Sequence, residues 1–138
     1  MRRLNPAFAS ALPNIQAWLA GCRYSSNELG LADDYVLWDY QRDALGHGTL
    51  ELIDDPELTL SRNLLALSLN LDLPPIRTAE DAYGLLTAAD TLDGVAVVSK
   101  DSDTLSVQLK VPLADLTADT LPTLYRRLAA AKRYLEDD

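Results

Sequence analysis

The residues best suited to catalysis are few and far apart in this chain. It contains one histidine, His47, and one cysteine, Cys22. His47 lies between Gly46 and Gly48, a pattern typical of an exposed turn, and no nucleophile motif accompanies it. A structural zinc site needs several Cys or His ligands, and the chain offers one of each. We therefore expect a non-enzymatic protein with no catalytic residues, no metal and no cofactor.

Three groups of carboxylates could bind calcium or hydrolyse a glycoside: Asp33-Asp34, Asp54-Asp55 and Asp101-Ser102-Asp103. An EF-hand needs ligands over twelve positions with a central Gly and a final Glu, and none of the three groups supplies that pattern. A glycosidase needs paired carboxylates across a sugar cleft, for which one small domain has little room. Asp and Ser are common turn residues, so turns explain all three groups.

Aromatic residues are concentrated in the stretch 35–40, which reads Tyr-Val-Leu-Trp-Asp-Tyr and predicts a strand. Alternation places Val36, Trp38 and Tyr40 on one face. Two interpretations stay open. Tyr35, Trp38 and Tyr40 could form a surface that binds a partner protein, because Trp and Tyr are enriched in such surfaces. Alternatively, Trp38 fills the core and the tyrosines surround it.

Length and composition indicate one domain over residues 1–138. The chain has a mass of 15.1 kDa, and 48% of its residues are hydrophobic and 24% charged, values ordinary for a globular protein. The single cysteine fits a reducing compartment, and no apolar run is long enough to cross a membrane. These features predict a cytoplasmic location.

The net charge is −9, and residues 28–119 hold 18 of the 21 acidic residues but only five of the 12 basic ones. Such a surface repels phosphates, so the sequence argues against nucleic-acid binding. The acidic surface could attract a basic partner, or it could serve only to keep the protein in solution.

Hydrophobic periodicity locates the elements of the first half. A helix is predicted from about Pro13 to Cys22, with Ser10 as its cap. After the aromatic strand, short strands are predicted at 49–53 and 57–61, joined by a turn at 54–56. A further strand at 65–73 places five leucines on one face, which predicts a sheet with one covered side.

The second half has clearer boundaries. Thr78 and Asp81 resemble a capping box that opens a helix ending near Leu92, and Gly94 is the expected left-handed stop. Strands at 95–99 and 104–111 then form a hairpin, followed by an amphipathic helix at 117–138. The fold class is therefore α+β: a single antiparallel sheet of about five strands with three helices, in the order helix, three strands, helix, two strands, helix.

The helix at 78–92 has an apolar stripe with a small residue at each end and two leucines between them. This stripe comprises Ala82, Leu85, Leu86 and Ala89. Small residues permit close approach, either to the sheet or to the same helix in a second copy. The stripe is therefore our candidate for a homodimer interface.

This half of the chain resembles the bacterial class I type III secretion chaperones and the related YbjN-like proteins. The similarity rests on the pair Leu85-Leu86 in the second helix, on the hairpin strands, and on Pro112-Leu113 before the last helix. Ala89 stands where the family commonly has Asn. The resemblance covers residues 64–138, and residues 1–63 only through the order of elements.

The resemblance implies a homodimer that binds an extended segment of another protein, such as a secreted effector. The alternative within the same fold is a YbjN-like regulatory or stress-response protein. A third possibility, from the charge alone, is an acidic immunity protein that blocks a basic toxin.

Overall fold

A computed structural model describes residues 5–28, 30, 34–44, 46–54, 63–73, 76–92, 94–99 and 104–136. Its elements are, in chain order, α1 (Pro6–Ala20), β1 (Tyr24–Asn27), β2 (Tyr35–Gln41), β3 (His47–Asp54), β4 (Asn63–Asn70), α2 (Ala79–Ala89), β5 (Ala96–Ser99), β6 (Leu105–Pro112) and α3 (Thr120–Glu136), with a short 3₁₀ helix at Leu113–Asp115.

The strands form one antiparallel sheet in the order β1-β2-β3-β4-β6-β5. The α+β class and the alternation of helices and strands agree with the sequence. The described part of the sheet has six strands, however, rather than about five. The additional strand is β1, which has the sequence Tyr-Ser-Ser-Asn. Ser and Asn are typical of turns, so the sequence did not predict a strand there. Its pairing with β2 overrides that local preference. The predicted strand at 57–61 lies outside the described residues.

Strand β4 lies in the interior of the sheet, between β3 and β6. Leu65, Leu67 and Leu69 are almost fully buried on one face. Ala66 and Ser68, on the other face, are also fully buried. Glu51 and Lys110 flank Ala66 across the two neighbouring strands, and Gln108 donates a hydrogen bond of 3.0 Å to the Ser68 hydroxyl. Longer neighbouring side chains therefore cover the small residues of β4.

Helices α1 and α3 cover the leucine face of the sheet. Their buried side chains share one hydrophobic cluster with the inward residues of the strands; this cluster includes Phe8, Ile15 and Trp18 from α1, and Leu121, Leu124, Leu128 and Leu135 from α3. Helix α2 packs against α3 and the edge strand β5. No described helix covers the opposite face, which we call the open face. Its residues on β2 and β3, such as Leu37, Thr49 and Glu51, are half-buried.

Helix α1 begins earlier than its sequence predicts. The predicted start was Pro13 with Ser10 as cap, whereas the helix begins at Pro6 and Asn5 caps it, accepting a 2.9 Å hydrogen bond from the Ala7 amide. Pro13 therefore lies inside the helix, where its ring lacks an N–H donor. Burial of Phe8 and Ala11 against the sheet offsets that loss.

The second half follows the predicted pattern closely. The Thr78 hydroxyl caps α2 by accepting a 3.1 Å hydrogen bond from the Asp81 amide, and Gly94 has a left-handed φ of 74°. Strands β5 and β6 pair as the predicted hairpin, whose turn at 101–103 lies outside the described residues. Helix α3 begins at Thr120, three residues later than predicted.

Candidate partner-binding surfaces

The aromatic strand β2 alternates between the core and the open face as expected. Trp38 is 7% exposed and Tyr40 is 2% exposed, while Tyr35 is half-buried on the open face. Burial therefore favours the core interpretation for Trp38 and Tyr40, because their face of the strand points toward α1 and α3. Of the three aromatic residues proposed to bind a partner, Tyr35 alone lies on the face that a partner would reach.

Tyr40 belongs to an aromatic cluster that joins the sheet to both long helices. Its ring lies 5.0 Å from the Trp18 ring in an edge-on arrangement and 6.3 Å from the Tyr125 ring. The Arg42 guanidinium lies 4.9 Å from the centre of the Trp18 ring and donates a 2.9 Å hydrogen bond to the Trp18 carbonyl. The Tyr40 hydroxyl donates a 2.8 Å hydrogen bond to the Ser68 carbonyl. This geometry stabilises the core and provides no reactive group.

The two glycines that flank His47 serve close packing rather than a turn at the histidine. A Cβ atom at Gly48 would lie 2.0 Å from the Ser68 carbonyl oxygen, and one at Gly46 would lie 1.8 Å from the Tyr125 hydroxyl. His47 is the first residue of β3 and pairs with Gln41. The predicted turn at His47 is therefore wrong, since His47 lies in a strand, and Gly48 is required there because a Cβ atom would collide with the backbone of Ser68.

A chain of hydrogen bonds on the open face orients His47. The Ser106 hydroxyl donates a 2.8 Å bond to Asn70 Oδ1, which leaves the Asn70 amide nitrogen to face His47 Nδ1 at 3.1 Å. An amide nitrogen can only donate, so His47 Nδ1 is the acceptor in this contact. No sequence pattern indicates this arrangement, because the three residues meet only through the register of β3, β4 and β6.

A shallow depression of about 650 Å³ lies on the open face beside edge strand β1. Tyr24, Asp39, Gln41, His47 and Asn70 contribute to its lining. Tyr24 is 59% exposed. The lining thus combines an exposed aromatic ring with several hydrogen-bonding groups. Close by, a hydrogen bond with the Asp39 carboxylate raises the pKa of Glu28.

At Tyr35, the hydroxyl donates a 2.6 Å hydrogen bond to the Glu51 carboxylate across the strand pair. Burial, followed by this carboxylate, raises the pKa of Tyr35 above its ordinary value. The phenol is therefore neutral and fixed in position at neutral pH. A partner could contact the edge of the Tyr35 ring, but the hydroxyl proton is already donated to Glu51.

Helix α2 places its predicted dimer stripe on two different surfaces. Ala89 is buried, and Ala82 and Leu85 are half-buried, with Leu85 packed against the core cluster of its own chain. Leu86 is 60% exposed and Tyr83 is 73% exposed. A second copy would therefore meet Leu86 and Tyr83 rather than the whole stripe.

Lys132 is a buried cation that the sequence did not reveal. Its side chain is 10% exposed, and its ammonium group donates to the Asn70 carbonyl at 3.1 Å, to Asp72 at 3.3 Å, and to Glu136. These three acceptors match the three donors of an ammonium group. Lys132 lines a cavity of about 250 Å³ together with Asp43, Tyr125 and Arg133. Its role is to tie α3 to the end of β4.

Cys22 does not have the environment of a nucleophile. Burial raises the pKa of its thiol, although the neighbouring Arg42 acts in the opposite direction. A raised pKa keeps the thiol protonated at neutral pH, and the thiolate is the reactive form. Cys22 therefore behaves as a small apolar residue between α1 and β1.

In the described ranges, no three His, Cys, Asp or Glu side chains come together as a metal ion would require. None of the described helices combines the length and hydrophobicity of a membrane span. Comparison with known protein families finds no family model that matches the chain, and comparison with characterised proteins finds no match. The resemblance to the secretion chaperones therefore stays a prediction from sequence.

Proposed function

We propose that the protein is a non-enzymatic binding module that holds an extended segment of a partner protein, in the manner of the class I type III secretion chaperones. One observation carries this proposal. Strand β1 lies at an edge of the sheet, and no described strand pairs with its outer side. An exposed strand edge is a template for a further strand, because its unpaired backbone groups can bond to another chain.

The surroundings of β1 suit such a segment. Tyr24 offers an exposed ring at the start of the strand, and the depression next to it presents the Gln41 amide, the His47 ring and the Asp39 carboxylate. Backbone pairing would supply affinity without sequence preference, and the depression would select alternate side chains of the partner. The partner would therefore be an unfolded or extended stretch with polar residues on the side that faces the sheet.

The opposite edge of the sheet suits a second copy of the chain. Strand β5 lies at that edge, and α2, with exposed Tyr83 and Leu86, packs beside it. A two-fold dimer would bring each Leu86 against the other copy, which removes two apolar side chains from water. Because dimer and partner occupy opposite edges, each dimer would hold two segments.

An acidic immunity protein is the second candidate, and the charge of −9 favours it. A basic toxin would be attracted over a long range and would dissociate as salt rises. This function requires a folded, cationic partner. The strand-edge function requires an extended one.

The decisive experiment places a photo-crosslinking amino acid at position 24 in living cells, with position 76 as the control. Ile76 is also an exposed apolar side chain, 44% accessible, but it lies between β4 and α2. We expect crosslinks from position 24 to one short segment of a partner, identified by mass spectrometry. The synthetic peptide of that segment should protect the β1 amides from hydrogen exchange, and Tyr24→Ala should weaken its binding about tenfold or more.

Equal crosslinking from both positions would contradict the proposal. Protection confined to residues far from β1 would do the same. Crosslinks to a folded basic protein, with affinity that collapses between low and physiological salt, would instead support the immunity function.

A further inference from the structure

Helix α3 has an outward face whose charge differs from that of the whole protein. Its inward side chains are buried leucines and Ala131. The outward face consists of Thr123, Arg126, Arg127, Ala130, Arg133 and Tyr134, all of them exposed. Three of these six residues are arginines and none is acidic. The remainder of a chain with a net charge of −9 is therefore even more acidic.

Two of these arginines form no ion pair within the described part of the chain. Arg126 donates a long bond of 3.4 Å to the Thr123 hydroxyl, and Arg133 lies at the mouth of the cavity near Lys132. The acidic residues at that cavity have other donors. Glu136 accepts from Lys132, and Asp43 accepts from the Tyr125 hydroxyl at 3.2 Å and from the Gly46 amide at 2.7 Å. The guanidinium groups of Arg126 and Arg133 thus keep their binding capacity for carboxylates.

We propose that this face of α3, which we call the arginine face, binds an acidic segment of a partner polypeptide. Arg126 and Arg133 lie two helical turns apart, a rise of about 10.5 Å. In a polyproline II chain, which has three residues per turn, side chains three positions apart lie on the same side and are separated by about 9 Å. The matching segment is therefore extended in this conformation, with acidic side chains at every third position, and Tyr134 offers a ring for an apolar residue beside them.

Charge complementarity with the surroundings favours a short segment over a larger anionic surface. Acidic residues border the arginine face: Asp119 precedes α3, Asp90 ends α2, and Asp72 pairs with Lys132. A lipid bilayer or a nucleic-acid duplex would extend across the face onto these carboxylates. The phosphates of that ligand would then come within the screening length, about 8 Å at physiological salt, of these carboxylates. At such distances the like charges would repel each other. A segment of a few residues would stay within the arginine face.

The test uses the full chain and a labelled peptide that carries Glu at every third position in a Ser/Gly background. Its matched control is the same peptide with Gln in place of Glu. We expect saturable binding of the Glu peptide, measured by fluorescence anisotropy at low salt, and at least a tenfold weaker signal from the Gln peptide. Affinity for the Glu peptide should fall further as salt rises.

Variants identify the surface. Arg126→Gln/Arg133→Gln should weaken binding of the Glu peptide at least tenfold. The control Arg23→Gln/Arg77→Gln makes the same change in net charge at exposed arginines elsewhere and should leave the affinity within twofold. Gln retains good helix propensity, so both variants should keep the melting temperature of the parent protein.

Equal loss of binding in both variants, or no binding to the parent protein, would overturn the proposal. Tighter binding to phosphatidylserine vesicles or to poly(U) than to the Glu peptide would assign the face to a different ligand. Conversion of a dimer to a monomer by the α3 variant alone, seen by light scattering, would make the face a contact between copies. Arg126 and Arg133 lie on α3, away from the β1 edge, so failure of the arginine face to bind would leave the strand-edge function unaffected.

Discussion

Trp38 shows how one side chain distinguishes two functions that its sequence context left open. A tryptophan in an aromatic strand is typical both of a binding surface and of a core. The deciding factor is the phase of the strand: Trp38 shares its face with Val36 and Tyr40, and this face lies under α1 and α3. The sequence showed which residues share a face. It could not show which face the helices would cover.

Replacement of Trp38 by Ala should therefore destabilise the protein rather than weaken partner binding. We expect a loss of about 3–5 kcal/mol in the free energy of unfolding, because a large buried ring leaves a cavity. Urea denaturation at neutral pH measures this loss. Tyr24→Ala, at a 59% exposed position, should change stability by less than about 0.5 kcal/mol. Comparable small losses in both variants would return Trp38 to the list of binding residues.

The buried tyrosines predict a loss of stability at alkaline pH. Burial raises the pKa of Tyr125 to about 12 and raises that of Tyr40 further, mainly by desolvation and then by nearby phenolate, thiolate and carboxylate charges. Unfolded tyrosines ionise near pH 10. The unfolded state therefore releases these protons first, so the contribution of these tyrosines to stability is constant below about pH 10 and is lost as pH rises above it.

Urea midpoints measured from pH 8 to pH 11.5 check this expectation. Tyr40→Phe removes one of the responsible groups and should make the decline above pH 10 shallower, although it lowers stability at pH 8 by loss of the bond to Ser68. Tyr24→Phe, at an exposed ring on β1, serves as the control and should retain the full decline. A flat profile up to pH 11.5 in the parent protein would contradict the argument.

Among the elements, those with strong periodicity and clear ends were predicted well. The leucines of β4, the Thr78 cap and the β5–β6 hairpin all carry local signals that tertiary packing reinforces. Two elements differ from the prediction because packing overrides local preference. Strand β1 forms from turn-like residues that pair with β2, and α1 continues through Pro13 because the residues before it bury their side chains.

Helix α2 yields a prediction about assembly. If Leu86 and Tyr83 form the contact between two copies, light scattering should give twice the chain mass of 15.1 kDa. Leu86→Glu should produce a monomer, because a charge would be buried without a partner, and its melting temperature should no longer depend on protein concentration. Leu85→Glu should instead lower the melting temperature, since Leu85 packs against the core cluster. A monomeric parent protein at micromolar concentration would refute the dimer.

At the scale of the whole molecule, the proposed partner surfaces were the least predictable feature. The depression beside β1 brings together residues from β1, β2, β3 and β4, and its position depends on sheet order and register. Sheet order and register are not encoded within any single stretch of sequence. The arginine face differs in this respect, because all its residues lie on one helix. The helical period places Arg126 and Arg133 together, and only their exposure had to come from the fold.

The interior position of β4 has a consequence for how the chain is made. Its first partner, β3, precedes it, but its second partner, β6, follows only after 34 further residues, 71–104. At a synthesis rate of about 5–20 residues per second, roughly 2–8 s pass between completion of β4 and completion of β6. Throughout that interval the edge of β4 that will pair with β6 is unpaired in the nascent chain. Nascent chains on neighbouring ribosomes of the same mRNA carry the same unpaired edge. Slow translation through residues 71–112 would therefore favour mispairing between nascent copies, and rapid translation would favour the native sheet.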